Sequence, residues 1–406
     1  MKIKKKELIT IIIIAIILAA ILFVAIFLAS RRDKSTDSKP INLYRPRWNN
    51  TIIYDRFGIH VINPEIPDIN PLSVDLSEFG IDNGYEVLRA GNVDGINLYL
   101  CYSHYAGLTE SETLFFRYNL ITSQVSKIEL TSNYDTVSYY NFYAHGGYLY
   151  YFAWNTENGL STGLEPGYLC RVPVSGGKEE TLAEYTSGSE HIVCVVGDTV
   201  ITSNGSKISF YDVSKKKKTE LFNAEKSGFR LIGAERSYYY NGNLYFLAEK
   251  YLPSVVEADE DFKEDWKTPD SYLISLDIKK KEWKKVIDVP VSLFCVTEDG
   301  IFYVKKKYRL LHKSDFALSI NDVLTVYGDD SICSQPIGGG EERVLYTNEK
   351  ISFNEIFTVK DGKFCGRINS PGETEYDYKV KFAVIDLSSK NIVQFDIPEP
   401  TIPDEG

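Results

Sequence analysis

The sequence predicts an all-β fold: a β-propeller of four-stranded antiparallel blades, most readily seven (six or eight also fit the length), preceded by one transmembrane helix. Three observations predict it. A glycine turn followed by an aliphatic-aromatic strand recurs at nearly constant spacing. Tyr (29) and Phe (21) are abundant while Met occurs once, an aromatic weight that favours strands. No segment after residue 30 sustains the helical period of apolar residues.

The elements follow in chain order. Residues 1–7 form a short tail, and residues 8–30 the helix. From Leu8 to Ala29 the chain is apolar apart from Thr10 and carries no charge. As a helix rising ~1.5 Å per residue it spans ~33 Å, enough for a ~30 Å hydrocarbon core. A cleaved signal peptide has an apolar stretch of only ~7–15 residues, and here Arg31 and Arg32 directly follow the small residues Ala29 and Ser30, so an uncleaved anchor is the expectation. Lys2, Lys4, Lys5 and Lys6 place the N-terminus in the cytoplasm and the C-terminal domain outside the cell membrane. The first cysteine is Cys101, so no thiol beside the helix is available for lipidation. Residues 31–40 read as a polar linker ending in Pro40. The propeller is expected over 41–400, with a tail over 401–406.

Within 41–400 the repeat glycines are Gly95, Gly147, Gly197, Gly242, Gly300 and Gly362, spaced 52, 50, 45, 58 and 62 residues apart. Each follows a short apolar stretch and precedes a strand such as Gly147-Tyr148-Leu149-Tyr150, so each marks a hairpin turn. A second hairpin follows in every unit. Its turns lie at Thr122-Ser123-Gln124, Ser175-Gly176-Gly177, Ser214-Lys215-Lys216, Lys279-Lys280-Lys281, Gly338-Gly339-Gly340 and Ser388-Ser389-Lys390-Asn391. Two hairpins in ~50 residues are one propeller blade. A weaker copy runs through Thr51–Tyr54, Gly58 and Ile59–Ile62, giving seven units. As an alternative, Asn42-Leu43-Tyr44-Arg45 could pair with the last blade around Phe382 to Phe395 and close the ring, removing exposed edges. A β-sandwich or open array would show similar strands but not so regular a repeat.

The strand Gly147-Tyr148-Leu149-Tyr150-Tyr151-Phe152 and the hairpin from Leu169 to Lys178 resemble bacterial membrane-anchored propeller domains of unknown function, in the grouping of low-density-lipoprotein-receptor-like and TolB-like propellers. The resemblance covers most of the chain beyond residue 41 and, with the Ile/Lys/Tyr-rich composition, implies a Gram-positive source. It implies no catalytic residues. The Tyr-Trp-Thr-Asp signature of the receptor type is absent, as are the WD-repeat dipeptides.

The formal charge is -11; because residues 1–34 carry +5, the remainder is -16. An acidic domain is a poor partner for nucleic acid, whose phosphates need a basic surface, and is kept from lying flat on anionic lipid. The five histidines (His60, His104, His145, His191, His312) have no zinc-site spacing, and His145 reads as a surface turn residue. Phosphate-loop, dinucleotide and Gly-x-Ser-x-Gly motifs are missing. The six cysteines (Cys101, Cys170, Cys194, Cys295, Cys333, Cys365) each fall in a predicted strand of a different unit and are expected to be buried free thiols. The acidic stretch from Glu257 to Asp265 lacks the order of a calcium loop and reads as a solvated excursion. The runs Lys215–Lys218, Lys279–Lys281 and Lys305–Lys307, at turns or strand ends, read as solubilising edges that could also touch an anionic wall polymer. No catalytic, cofactor-binding or metal-ligating residue is assigned, and no cofactor is expected. The functional expectation is a tethered module that binds or scaffolds an envelope protein, glycan or peptide. The alternatives are a cell-surface carbohydrate-active hydrolase or lyase with acids in the central funnel, or a sensor signalling through a membrane partner.

Overall fold

Seven β-sheets of three or more strands follow one another along the described part of the chain, and a two-stranded parallel pair, Leu130–Thr131 with Gly177–Lys178, links sheets 2 and 3. The computed structural model describes residues 41–42, 51–55, 58–63, 68–72, 74–80, 86–105, 111–134, 136–155, 166–185, 190–232, 237–250, 271–287, 291, 293–310, 325–348, 351–371 and 378–396. Sheet 1 has strands Thr51–Asp55, Gly58–Asn63 and Asp68–Pro71. Sheet 2 comprises Glu86–Asp94, Asn97–Tyr105, Ser111–Asn119 and Val125–Ile128. Sheet 3 comprises Thr136–His145, Tyr148–Trp154, Gly167–Pro173 and Glu180–Tyr185. Sheet 4 comprises His191–Val196, Thr199–Ser203, Lys207–Asp212 and Lys217–Asn223.

In sheet 5 the first strand is split into Phe229–Ile232 and Tyr238–Tyr240, followed by Asn243–Lys250, Ser271–Asp277 and Glu282–Lys285. Sheet 6 comprises Leu293–Thr297, Gly300–Leu310, Thr325–Gln335 and Arg343–Asn348; sheet 7 comprises Ser352–Lys360, Lys363–Pro371, Tyr378–Asp386 and Ile392–Asp396. Sheets 2, 3, 4, 6 and 7 are four-stranded antiparallel meanders in strict sequence order.

The sheets are arranged radially. First strands of neighbouring sheets touch one another, sheet 2 to 3, 3 to 4, 5 to 6 and 6 to 7, while the fourth strand of sheet 5, Glu282–Lys285, is exposed along its length. A sheet packed between two others must be apolar on both faces, which is why the second strands read as unbroken aliphatic-aromatic runs. Leu149, Tyr151 and Ala153 point toward sheet 2, where Phe115 stacks on Tyr151 at 6.1 Å between ring centroids, while Tyr150 and Phe152 point toward sheet 4. Each large side chain so buried contributes roughly 1.5–3 kcal/mol, so the inter-sheet layers rather than turn chemistry hold the molecule together.

All six repeat glycines have positive φ, from 54° at Gly197 to 149° at Gly300. At Asn241-Gly242 and Asp361-Gly362 both residues do, the pair a two-residue type I′ turn requires. β-Bulges recur as well. In the fourth strands of sheets 3, 4 and 6 the pairing skips Leu182, Leu221 and Leu345 respectively. A bulge there bends the outer edge and spoils it as a template for another strand.

Three readings are corrected. Ile41–Asn42 pairs not with the last sheet but antiparallel with the first strand of sheet 5, Ile41 opposite Tyr239 and Asn42 opposite Tyr238. Sheet 7 draws all four strands from the C-terminal segment, with Lys381 to Ile385 already paired to Ile392–Asp396, so that edge is occupied by a local strand whose register costs little chain entropy. Lys305–Lys307 lie inside the long second strand of sheet 6, not at a turn or strand end. Cys295 and Cys333 belong to one sheet, not two, because the unit's first and third strands each contribute one. The segment 8–30 lies outside the described residues, among which no helix is long and apolar enough to cross a membrane.

Candidate binding surfaces

In a four-stranded meander the first-to-second and third-to-fourth turns lie on the same side. The glycine turns and the lysine or glycine turns of the sheets therefore share one face, here called the turn face. Asp94, ending the first strand of sheet 2, sits on it beside His145 and Gly146 of sheet 3. Burial raises the Asp94 carboxyl above the usual carboxylate range, against the opposing pull of the His145 imidazole and the Gly146 N–H. His145 thus ends the strand that leads into the turn the sequence indicates, half-buried and close to a carboxylate of the neighbouring sheet. Next to it the Arg171 guanidinium lies 4.4 Å above the Tyr148 ring and is anchored to Glu180 at 2.7 Å.

The third-to-fourth turns come in two chemical kinds. In sheets 2, 4, 5 and 7 an Asn or Asp opens the turn and accepts from the turn's own backbone. Asn119 Oδ1 takes the N–H groups of Ile121 and Thr122, and Asp277 Oδ1 those of Lys279 and Lys280. Asp386 Oδ1 takes those of Ser388 and Ser389, and Asp212 Oδ1 that of Lys215. Such bonds favour the ionised form. The Asp212 carboxyl, bonded by the Lys215 side chain and N–H and by Ser214, is lowered to about 2. The Asp386 carboxyl, bonded chiefly by Ser388 and the Ser389 N–H, is likewise lowered to about 2.

Sheets 3 and 6 use a Gly-Gly turn instead, followed by a glutamate that reaches back to a tyrosine of the second strand. Glu179, 5% exposed, accepts from Tyr151 Oη at 2.7 Å, from Ser132 Oγ at 3.2 Å and from the Asn133 N–H at 3.2 Å. Its counterpart Glu342 accepts from Tyr303 Oη and Lys305 Nζ. Partial burial raises the Glu342 carboxyl, but the bonds from Lys305 and Tyr303 bring it below its ordinary value. The paired cysteine opposite each tyrosine completes the unit: Tyr151 faces Cys170 and Tyr303 faces Cys333. Burial, with the glutamate charge, pushes the Cys333 thiol up to about 11. Neither glutamate was singled out by sequence reasoning, although aligning Cys170-x-x-Pro173-Val174-x-Gly176-Gly177-x-Glu179 with Cys333-x-x-Pro336-Ile337-x-Gly339-Gly340-x-Glu342 reveals them.

A cavity of about 770 Å³ opens at the turn end of sheet 2, lined by Asp75, Glu78, Ile96, Asn97, Arg117, Asn119 and residues 123–126. The short 3-10 turn Ser77–Phe79 brings the two acids to it, and Ser77 N–H caps Asp75 Oδ1 at 3.0 Å. Those bonds hold the Asp75 carboxyl below its usual value. Arg117 Nε donates to Ser126 Oγ at 3.3 Å, which orients the guanidinium across the cavity wall, and Ile96, 41% exposed, supplies an apolar lip. A guanidinium, amides and two carboxylates around an open space can hydrogen-bond a ligand rich in hydroxyl or peptide groups. No sequence signal marked this site, because residues 75–78 and 117–126 are separated in the chain and of ordinary types.

All six cysteines are buried thiols. Lys215 and Lys216 lie in a turn, Lys217 and Lys218 open the strand after it and Lys279–Lys281 occupy a turn, all at turns or strand ends as the sequence indicates, whereas Lys305 is tied to Glu342. The acidic stretch Glu257 to Asp265 lies outside the described residues, and among those described no group of three His, Cys, Asp or Glu is placed to hold a metal ion.

No family model matches the chain, and no curated protein matches it. Solved structures that it resembles include TolB from Acinetobacter baumannii (9% identity, 84% of this chain and 77% of that one, TM-score 0.34). Others are the β-propeller domain of the Trilobed protease from Pyrococcus furiosus (9%, 76% and 84%, TM-score 0.44) and the GH74 xyloglucanase from Xanthomonas campestris (8%, 89% and 54%, TM-score 0.47). The chain spans about half the length of the xyloglucanase. Likeness at this level assigns no activity.

Proposed function

We propose that this chain is a seven-bladed β-propeller held outside the cell membrane by its N-terminal helix, and that it binds or scaffolds an envelope protein, glycan or peptide. The observation that supports binding is the cavity at sheet 2, with Arg117 fixed by Ser126 as its strongest donor and amide groups of Asn97 and Asn119 beside it. A charge-assisted hydrogen bond is worth about 1.5–3 kcal/mol, so Arg117→Ala should weaken binding by roughly ten- to a hundredfold. The test is titration of cell-wall muropeptides and envelope oligosaccharides against the wild-type protein and this variant. Binding that the variant leaves unchanged would remove the cavity from the reading.

A second reading, a carbohydrate-active hydrolase or lyase, draws on the presence of both Asp75 and Glu78 in that cavity. It requires turnover of a bound glycan by the purified protein and its loss in Glu78→Gln. Binding without product formation favours the module.

A further inference from the structure

The register of the N-terminal strand fixes the side from which the chain enters the propeller. Tyr238–Tyr240 runs toward the Asn241-Gly242 turn, and Ile41–Asn42 lies antiparallel to it with Ile41 opposite Tyr239. Ile41 is therefore nearer the turn than Asn42, and the chain comes to this strand from the turn face. Ten linker residues, 31–40, reach at most about 35 Å when fully extended. A helix anchored at residue 30 thus keeps that face, beside sheet 5, close to the bilayer.

The N-terminal strand lies on the inner edge of sheet 5, and the outer part of the turn face at sheets 4 and 5 is basic. The third-to-fourth turns of sheets 4 and 5 present Lys215, Lys216, Lys217, Lys279, Lys280 and Lys281, all exposed. Asp212 holds Lys215 at 2.7 Å and Asp277 lies 3.8 Å from Lys280, with Glu282 adjacent in sequence. Lys216, Lys217, Lys279 and Lys281 have no ion pair with a described residue, and at Lys216 and Lys281 the backbone is in the left-handed region that ends these turns. Other carboxylates of this face lie elsewhere on it: Asp94, Asp198, Asp299 and Asp361 at the first hairpins, closer to the axis, Asp75 and Glu78 at sheet 2, and Asp386 at sheet 7. Charge on this face is therefore divided, acidic inward and at sheets 2 and 7 and basic at sheets 4 and 5, on a domain whose net charge is strongly negative.

We infer that the lysine turns of sheets 4 and 5 rest on the anionic phospholipid surface of the bilayer that holds the chain, orienting the propeller with its opposite face outward. This rests on the anchored reading above. The lysines act within about a Debye length of the headgroups, roughly 10 Å at 0.1 M salt, and the tether holds the domain near enough for them to enter that layer despite the repulsion of its net charge.

The test uses the full chain in lipid nanodiscs. The six native thiols are buried, so a single added cysteine is labelled selectively. Lys216→Cys marks the turn face, and Lys226→Cys, in the 3-10 turn Glu225–Ser227 at the far end of the same sheet's fourth strand, marks the opposite face with the same charge change. Each carries a fluorophore quenched by nitroxide-headgroup lipid. In phosphatidylglycerol discs the label at 216 should be quenched at least twofold more than that at 226. The difference should shrink in phosphatidylcholine, at 0.5 M salt, and when Lys215, Lys217, Lys279, Lys280 and Lys281 are changed to Gln. Equal quenching at both positions, or quenching indifferent to lipid charge, overturns the inference. So does a change at 216 caused by soluble teichoic acid but not by lipid composition. Release of the chain from membranes by alkaline carbonate would instead sink the anchor itself, a separate outcome.

Discussion

At the scale of single residues, the two Tyr–Glu pins test how burial sets the worth of one hydrogen bond. Glu179→Ala strands the Tyr151 hydroxyl in a nearly dry site and should cost about 2–3 kcal/mol, whereas Glu342→Ala, at a site roughly a third open to water, should cost about 1 kcal/mol. Urea denaturation of both variants measures the ordering. The turn aspartates give a pH prediction. Asp212 and Asp386 have folded values of about 2 against an ordinary 3.8, so their contribution is complete above about pH 5 and is lost as pH falls through 2. A double Asp212→Ala, Asp386→Ala variant should melt below the wild type at pH 5, by a margin that narrows as the pH falls through 2. Asp94 runs the other way, because its raised value means that the charged form is disfavoured in the fold. Asp94→Asn should raise the melting temperature at pH 7 and leave it unchanged at pH 3. None of these roles was legible beforehand, since an Asp before a lysine run looks alike whether or not its oxygen meets a backbone N–H.

At the scale of elements, the turns were legible and the strand irregularities were not. A positive φ leaves a compositional trace, glycine or Asn-Gly, and all six repeat glycines fall where such a backbone occurs. A bulge that skips Leu182 or Leu345 leaves no trace, because leucine is at home in a regular strand. The partner of the N-terminal strand is illegible for a related reason: two residues pair by whatever edge is open, and their sequence contains no address. Gly366 shows a different glycine role. A Cβ there would lie 2.2 Å from the Glu355 carbonyl oxygen and 2.6 Å from the Phe364 ring, in the middle of sheet 7, beside the bulges of its first strand. Gly366→Ala should therefore cost about 3 kcal/mol or more by overpacking, read by the shift in urea midpoint. Gly362→Ala, strained only by its φ, should cost about 1 kcal/mol.

At the scale of the whole molecule, the radial arrangement follows from patterning that was visible throughout, because only a sheet enclosed between two others tolerates apolar residues on both faces. The position of the cavity was not visible, since it depends on where the chain ahead of sheet 2 comes to rest. The same arrangement predicts a gradient of stability outward from the second and third strands, which hold Leu149, Val200, Leu244, Ile301 and Phe364 at no exposure. Amide hydrogen exchange should be slowest there and fastest in Glu282–Lys285 and Ile392–Asp396, whose residues are mostly exposed. Equal protection across a sheet would contradict it.

The buried cysteines carry this further. Cys101, Cys170, Cys194 and Cys365 lie one each in sheets 2, 3, 4 and 7, and sheet 6 holds Cys295 and Cys333. Burial pushes the Cys365 thiol up to about 12, and a thiol so enclosed meets an alkylating reagent only when its own sheet opens. Alkylation followed peptide by peptide would time the opening of five sheets separately in one unmodified protein. A shared rate would mean that the sheets come apart together, and staggered rates would show which sheet gives way first.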